Sequence, residues 1–345
     1  MALIEARSMK NKISIALATY NGERHLKAQL DSFLRQTRLP DELVISDDHS
    51  LDKTPAILAN FAARAPFPVI FSANPNNLGY AANFSNALTL CTGDIVLPSD
   101  QDDVWLPTKI EAIERFFAEH PTSLLVIHDI EFCKEDLTPI GQTKIQRMRD
   151  GFDLTTEYVV GMASALRGDF LRLCLPIPEC DGLSHDKWLH MCANAMAGKD
   201  IMEDVLVLYR RHDACVTSGS KMNVDYVTGI DHFKPRQVDF RARLARMPLD
   251  NRRKWAQSSM LLAWLESNRE SLVRDGHADP VRLGACIANE RKRRDAGEMR
   301  QSILEHAEAG CLVKLTELYR LGGYAFFRGW KSALGDLVFR CLLRL

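Results

Sequence analysis

The sequence predicts an α/β fold: a mostly parallel sheet flanked by helices, followed by a helical C-terminal region. Three observations carry this expectation. Short apolar runs alternate with amphipathic segments from Ile13 to Ile127. Polar side chains gather directly after several of those runs. Beyond about Ser218 the chain becomes basic and helical in pattern.

Ile13–Ala18 reads as a buried strand. Glu23–Gln36 reads as a helix, with Leu26, Leu30, Phe33 and Leu34 at helical spacing. Leu43–Ser46 is the next strand, and Thr54–Ala63 the next helix, with Pro55 tolerated in its first turn. Val69–Phe71, Ile95–Leu97 and Leu124–Ile127 read as strands, Tyr80–Leu90 and Pro107–Glu119 as helices. This rhythm implies a parallel sheet covered on both faces. Lys134 to Asp153 reads as irregular. Gly161–Leu166 returns as a strand, with a short helix to about Leu173, then a helix at Asp186–Met196 and a strand at Val205–Tyr209. Arg241–Arg246, Arg253–Leu265, Arg282–Arg294 and Ser302–Tyr319 read as basic helices. With 345 residues the expectation is two domains, 11–220 and 221–345.

The net charge of -1 hides an asymmetry. From Tyr226 onward 22 Lys+Arg stand against 14 Asp+Glu, while the rest of the chain is acidic. A basic module either meets something anionic or is a solvated helical face. The nine cysteines form no C-x-x-C pair, which excludes a zinc ribbon or redox motif and fits reduced thiols. The first residues lack the apolar core of a signal peptide, and no apolar run is long enough to span a bilayer. The expected location is cytoplasmic, with peripheral contact at the inner face of the membrane as an option. The tail, Tyr324–Leu345, combines Phe326, Phe327, Trp330, Leu334, Leu337, Val338, Leu342 and Leu343 with Arg328, Lys331, Arg340 and Arg344, opposed only by Asp336. That suits either a helix lying on an anionic membrane or one docked on the protein.

Ligands on a parallel sheet bind beyond the carboxyl ends of the strands. The first strand ends in Thr19-Tyr20-Asn21-Gly22, the second in Ser46-Asp47-Asp48-His49-Ser50, and the fourth in Ser99-Asp100-Gln101-Asp102-Asp103. A site crowded with acidic oxygens that binds a phosphate needs a hard cation, Mg²⁺ or Mn²⁺, to bridge them. In extended backbone Asp100 and Asp102 point to the same side. Turn formation and helix capping are the alternative roles for these aspartates. No Ser-His-Asp or Cys-His arrangement is evident, so nothing in the sequence points to an enzyme nucleophile.

The segments ISIALATYNG, DELVISDDHSLDKT, NPNNLGYAANFSNAL and GDIVLPSDQDDVW, with SHDKW and YRRHDACVTSG later, resemble the family 2 glycosyltransferases of GT-A (Rossmann-like) fold over about residues 11–220. The D-Q-D-D-x-W form is similar to rhamnosyltransferases of bacterial surface polysaccharide. The resemblance implies an inverting, metal-dependent transfer from a nucleotide-sugar donor, dTDP-rhamnose or a UDP-sugar, to a saccharide or lipid-linked oligosaccharide acceptor. It implies that Thr19, Tyr20 and Asn21 line the nucleotide pocket. Asp48 would accept from the pyrimidine ring, with Asp47 beside it and Gly79 and Asn83 near the nucleoside. Asp100 and Asp102 would form the D-x-D element, with Asp102 on the metal and His212 as a remote third contact. Asp186 would be the catalytic base; its place at a helix start is also where the helix dipole favours an acid. Gln101, Asp103, Trp105, Trp188, Arg210 and Arg211 are candidate diphosphate or sugar contacts, though tryptophans also build cores and arginines also decorate surfaces. The alternatives are a sugar nucleotidyltransferase, for which TYNGERH is a poor phosphate loop, and an inactive nucleotide- or polysaccharide-binding protein, against which the intact carboxylates argue. No G-x-G-x-x-G follows the first strand, which disfavours a dehydrogenase. No nucleic-acid partner is expected.

Overall fold

The computed structural model describes residues 11–149, 153–212, 240–305 and 311–343. The chain divides into two compact units, Met1–Ile177 with Ser184–Tyr226, and Pro178–Leu183 with Val227–Leu345. The expected boundary at 220/221 lies outside the described residues, as do Asp213–Gly219 and the last two residues of the tail.

In the first unit the strands are β1 (Ile13–Thr19), β2 (Glu42–Asp47), β3 (Val69–Ala73), β4 (Ile95–Ser99), β5 (Val104–Trp105), β6 (Leu125–Cys133), β7 (Pro139–Thr143), β8 (Ser164–Arg167) and β9 (Lys199–Arg210). The helices are α1 (Leu26–Leu34), α2 (Thr54–Ala62), α3 (Tyr80–Leu90), α4 (Lys109–Glu119), α5 (Lys144–Met148), α6 (Leu154–Glu157), α7 (Gly168–Cys174) and α8 (His185–Ala195). The sheet runs β3-β2-β1-β4-β8-β6-β9-β5, with β7 beside β6. The β3-β2-β1-β4 half is parallel. β8 runs antiparallel to both β4 and β6, and β6 pairs with β9 in parallel. This mixed sheet flanked by helices, with helices following, is the GT-A fold.

β1, β2 and β4 are buried along their whole lengths, as expected of parallel strands covered on both faces. Each buried Ile, Leu or Val contributes about 1.5–3 kcal/mol, so the strands that end at the site are its most firmly held parts. Their registers pair Thr19 with Asp47 and Leu17 with Ser99, which brings three polar strand ends side by side. The chain winds outward from β1 to β3 and then crosses back to β4, and such a reversal opens a crevice at the carboxyl edge.

Two expectations are corrected here. The stretch read as irregular contains β7 and α5, and α5 starts at a capping box between Thr143 and Gln146. The strand read as Val205–Tyr209 begins at Lys199. A register shift of β6 against β9 between His128 and Asp129 accommodates Glu203 and Asp204, which break the apolar pattern.

The second unit holds α9 (Phe240–Ser267), α10 (Arg269–Arg274), α11 (Pro280–Glu305), α12 (Cys311–Arg320) and α13 (Trp330–Leu343). Two helices expected around Arg241–Arg246 and Arg253–Leu265 are one, with Pro248 inside it. A proline there costs about 3 kcal/mol. Packing of Leu244 with Leu304 and Phe339, flanked by Met247, offsets that cost. Asp279 accepts from the amides of Val281 and Arg282 at the start of α11.

The tail is not one amphipathic helix from Tyr324. A 3-10 turn at Gly323–Phe326 precedes α13. Tyr324 is buried with Ala296, Ile303 and Leu318, and Phe326 and Phe327 pack against that cluster. Asp336 is fully buried, accepts a two-pronged bond from Arg300 at 2.9 and 2.8 Å, and accepts from the Tyr324 hydroxyl at 2.8 Å. Much of the apolar face thus docks within the unit, while Trp330 at 63% and Leu334 at 50% stay exposed. Among the described residues no helix is long and apolar enough to cross a membrane.

Candidate active site

The ends of β1 and β2 are joined by hydrogen bonds. The Thr19 hydroxyl donates to Asp47 Oδ1 at 2.7 Å, and Ser50 donates to Asp47 through both its hydroxyl and its amide. The Asp48 carboxylate accepts from Asn74 Nδ2 at 2.9 Å and from the amides of Leu78 and Gly79 at 2.8 and 2.9 Å. It thereby anchors the loop that leads into α3. Gly79 has φ +86 and ψ 157, a region that is essentially glycine-only. Asn83 donates to the Thr19 carbonyl at 3.1 Å. Tyr20 and Asn21 are exposed at the rim of this edge. The bonds seen at Asp47 and Asp48 are therefore with the protein's own loops.

Asp100, Asp102 and Asp103 bring carboxylate oxygens within 4.8 Å of one another. A bend after β4 gathers all three, rather than the extended backbone expected to align the first two. Burial, then the charges of Asp102 and Asp186, push Asp100 up to about 8. Burial, then the charges of Asp102 and Asp100, push Asp103 well above the carboxylate range. Asp103 is fully buried, and its Oδ2 has no hydrogen-bond partner. His212 Nε2 lies 2.8 Å from Asp102 Oδ2. An orphaned carboxylate oxygen, two crowded neighbours and an imidazole form a donor set that fits a hard divalent ion, which removes the repulsion that otherwise keeps protons on the acids.

Asp186 sits in the first turn of α8, behind the cap residue Ser184. Burial raises it, but hydrogen bonds from the Ser184 hydroxyl and the Lys187 amide, with His185 beside it, leave it below the ordinary carboxylate value. Burial lowers His185 to about 4, so at neutral pH that ring is uncharged and the two hydrogen bonds do the holding. Asp186 contributes to the rise of Asp100, so the two carboxylates share one electrostatic environment. The His185 ring stacks on Phe84 at 3.9 Å, and neither of its nitrogens has a hydrogen-bond partner.

Several expected contacts are corrected. Trp105 and Trp188 are 1% and 2% exposed. Trp105 packs edge-on to Phe33 with the Lys109 ammonium 3.8 Å from its ring centre, and Trp188 donates to the Cys174 carbonyl. Both are core residues with no face for a sugar. Gln101 makes a reciprocal pair of 2.9 Å bonds with the amide and carbonyl of Tyr20, tying the acidic bend to β1. Arg210 is buried; its amide donates to Asp103 at 3.0 Å and its guanidinium to the carbonyls of Asp102 and Glu135. It latches the end of β9 to the bend instead of facing a diphosphate. Arg211 is half-buried against the Tyr209 ring.

Sequence reasoning missed three residues. Lys109, fully buried, donates to the Met162 carbonyl at 2.7 Å, and its charge opposes those of Asp100 and Asp103. His25 lies 4.8 Å from the His212 ring and 3.6 Å from Glu135. His185 stacks on Phe84 directly beside Asp186. A lysine at the start of an amphipathic helix and two lone histidines carry no pattern that separates them from surface residues.

Residues 14–168 match the family described as glycosyl transferase family 2. A glycosyltransferase of Nostoc, alr2836, is 27% identical over 73% of this chain and 89% of its own length. The dTDP-rhamnosyl transferase RfbG of Shigella flexneri is 35% identical over 28% of this chain and 34% of its own. The chain spans about a third (36%) of the length of mycobacterial relatives it also matches. A crystal structure of S. aureus TarS in complex with UDP-GlcNAc superposes with a TM-score of 0.57 at 16% identity, covering 96% of this chain and 91% of that one. That likeness concerns the fold.

Proposed function

We propose that the protein is an inverting, divalent-metal-dependent glycosyltransferase. In this reading it moves a sugar from a nucleotide-sugar donor to a saccharide or lipid-linked acceptor of bacterial surface polysaccharide. The observation that carries the reading is the acidic bend, with an orphaned carboxylate oxygen in a cluster whose charge Asp186 shares. Tyr20 and Asn21 line the nucleotide side, held by Gln101 and Ser50. Asp102 and His212, with Asp100 or Asp103, would hold a Mn²⁺ or Mg²⁺ ion. When bound, that ion stabilises the leaving diphosphate as a Lewis acid, an effect of several kcal/mol. Asp186 accepts the proton of the acceptor hydroxyl as its oxygen bonds to the anomeric carbon and the carbon–diphosphate bond breaks. The anomeric configuration therefore inverts. The similarity to a rhamnosyl transferase supports dTDP-rhamnose as the donor.

For the second unit the reading is peripheral contact with an anionic membrane. Exposed Leu312, Val313 and Leu321 on and just beyond α12, and Trp330 on α13, support it, with Arg320, Arg328 and Lys331 also exposed.

The test is release of nucleoside diphosphate from a panel of nucleotide sugars, with and without Mn²⁺ or Mg²⁺. Turnover is expected only with metal and to vanish in Asp102→Ala at unchanged melting temperature. Undiminished turnover in chelator removes the metal assignment.

A further inference from the structure

We infer that a cavity beside Asp186 seats the acceptor along α8 and takes more than one sugar unit, so that the substrate is an oligosaccharide rather than a single sugar. The inference rests on the glycosyltransferase reading above. The cavity has a volume of about 310 Å³ and is walled by Asp186, Lys187, His190, Met191 and Asn194 of α8 and its cap Ser184, facing Thr156 and Val159. That is the lower end of the range for small-molecule sites. From Asp186 to Asn194 the helix rises by about 12 Å, which is longer than one pyranose ring. A sugar whose hydroxyl meets Asp186 therefore leaves the Asn194 end for its neighbour in the chain.

The wall sets a carboxylate, Asp186, and a lysine, Lys187, beside buried acceptors and apolar surface, which suits a hydroxyl-rich ligand that both donates and accepts. The Ser164 hydroxyl donates its proton to the Val160 carbonyl at 2.8 Å, so it accepts from His190 Nε2 at 2.9 Å. Burial keeps His190 uncharged, so the ring has one proton and Nδ1 carries only a lone pair. His190 Nδ1 and Asn194 Oδ1 are both buried acceptors without a partner. A buried polar atom without a partner calls for a donor, direct or through one bridging water. Sugar hydroxyls supply donors to these acceptors and to the Asp186 carboxylate. Met191 and Val159 offer apolar surface to the C–H face of a pyranose.

The experiment measures transfer from the accepted donor, with metal, to a panel of reducing-end-labelled mono-, di- and trisaccharides. The expected result is a kcat/KM for an accepted di- or trisaccharide at least about tenfold above that of its own terminal monosaccharide, the effect of one or two added hydrogen bonds. Met191→Trp, which fills the cavity, and Asn194→Leu, which removes an acceptor, each bring that ratio close to one. Equal use of the monosaccharide by the wild type overturns the inference. So does failure of every di- and trisaccharide while the donor is still hydrolysed. Absence of any metal-dependent donor turnover instead removes the glycosyltransferase reading, and the inference with it.

Discussion

Replacing Gly161 by alanine is expected to harm catalysis more than stability. A Cβ at this position lies 2.7 Å from His185 Nε2 and 3.4 Å from Asp186 Cβ. Ordinary heavy-atom contacts lie near 3.5–4.0 Å, so the ring must retreat by about 1 Å. Phe84, stacked on it at 3.9 Å, limits that retreat. Overpacking of this kind costs about 1–3 kcal/mol, a drop of a few degrees in Tm for a unit of this size. His185 and Asp186 are consecutive in the first turn of α8, so a shift of the ring carries the carboxylate with it. Misplacing a reacting group by about 1 Å costs roughly 10²-fold in rate. The assay is kcat and donor KM for transfer, beside a thermal melt. We expect kcat to fall by one to two orders of magnitude with much less change in donor KM, and His185→Ala in the Gly161→Ala background to recover part of the lost Tm. A kcat within twofold of wild type would refute the view that this packing positions Asp186.

Asp186→Asn keeps the shape of the first turn but removes the proton acceptor. Nucleotide binding by calorimetry should persist while transfer falls roughly 10²–10⁴-fold, and wild-type transfer excludes Asp186 as the base. Burial pushes Glu42 up, but Lys12, Ser14 and Thr92 outweigh it and hold the carboxyl at about 2 against an ordinary 4.5. A depressed carboxyl adds stability that is complete above pH 4.5 and is lost as the pH falls toward 2. Glu42→Gln should therefore lower stability at neutral pH by roughly 3 kcal/mol at most, seen as a lower Tm, and flatten the acid limb of a Tm-against-pH curve; an unchanged limb speaks against the assignment. Leu321→Ser with Trp330→Ser should weaken cosedimentation with vesicles of anionic lipid, and equal binding by wild type and variant rejects the membrane contact.

Much of the first unit was legible because its strands are short, apolar and followed at once by polar residues. Ile13–Ala18 and Tyr80–Leu90 show this directly. β9 was half-read because Glu203 and Asp204 sit in a register shift that no alternating pattern anticipates. Helix α9 was read as two because Pro248 breaks the local signal while burial of Leu244 restores the helix. At the site, the sequence drew attention to the strand ends but not to what each side chain touches. Gln101 and Arg210 look like ligand contacts until the structure pairs them with backbone atoms of Tyr20 and Asp102. Lys109 and His185 stayed hidden because burial, which gives each its meaning, is a property of the fold and not of their neighbours in sequence.

The anchoring of the Leu78 and Gly79 amides on Asp48 bears on how a ligand would be met there. The backbone leading into α3 is already held in its unusual conformation, so an incoming nucleotide need not pay to organise that stretch. On the proposed reading, discrimination between nucleotides would drift through the exposed side chains of Tyr20 and Asn21 while the underlying brace stays the same. A change of Asp48 would be felt as a general loosening for every ligand alike, not as a switch from one base to another.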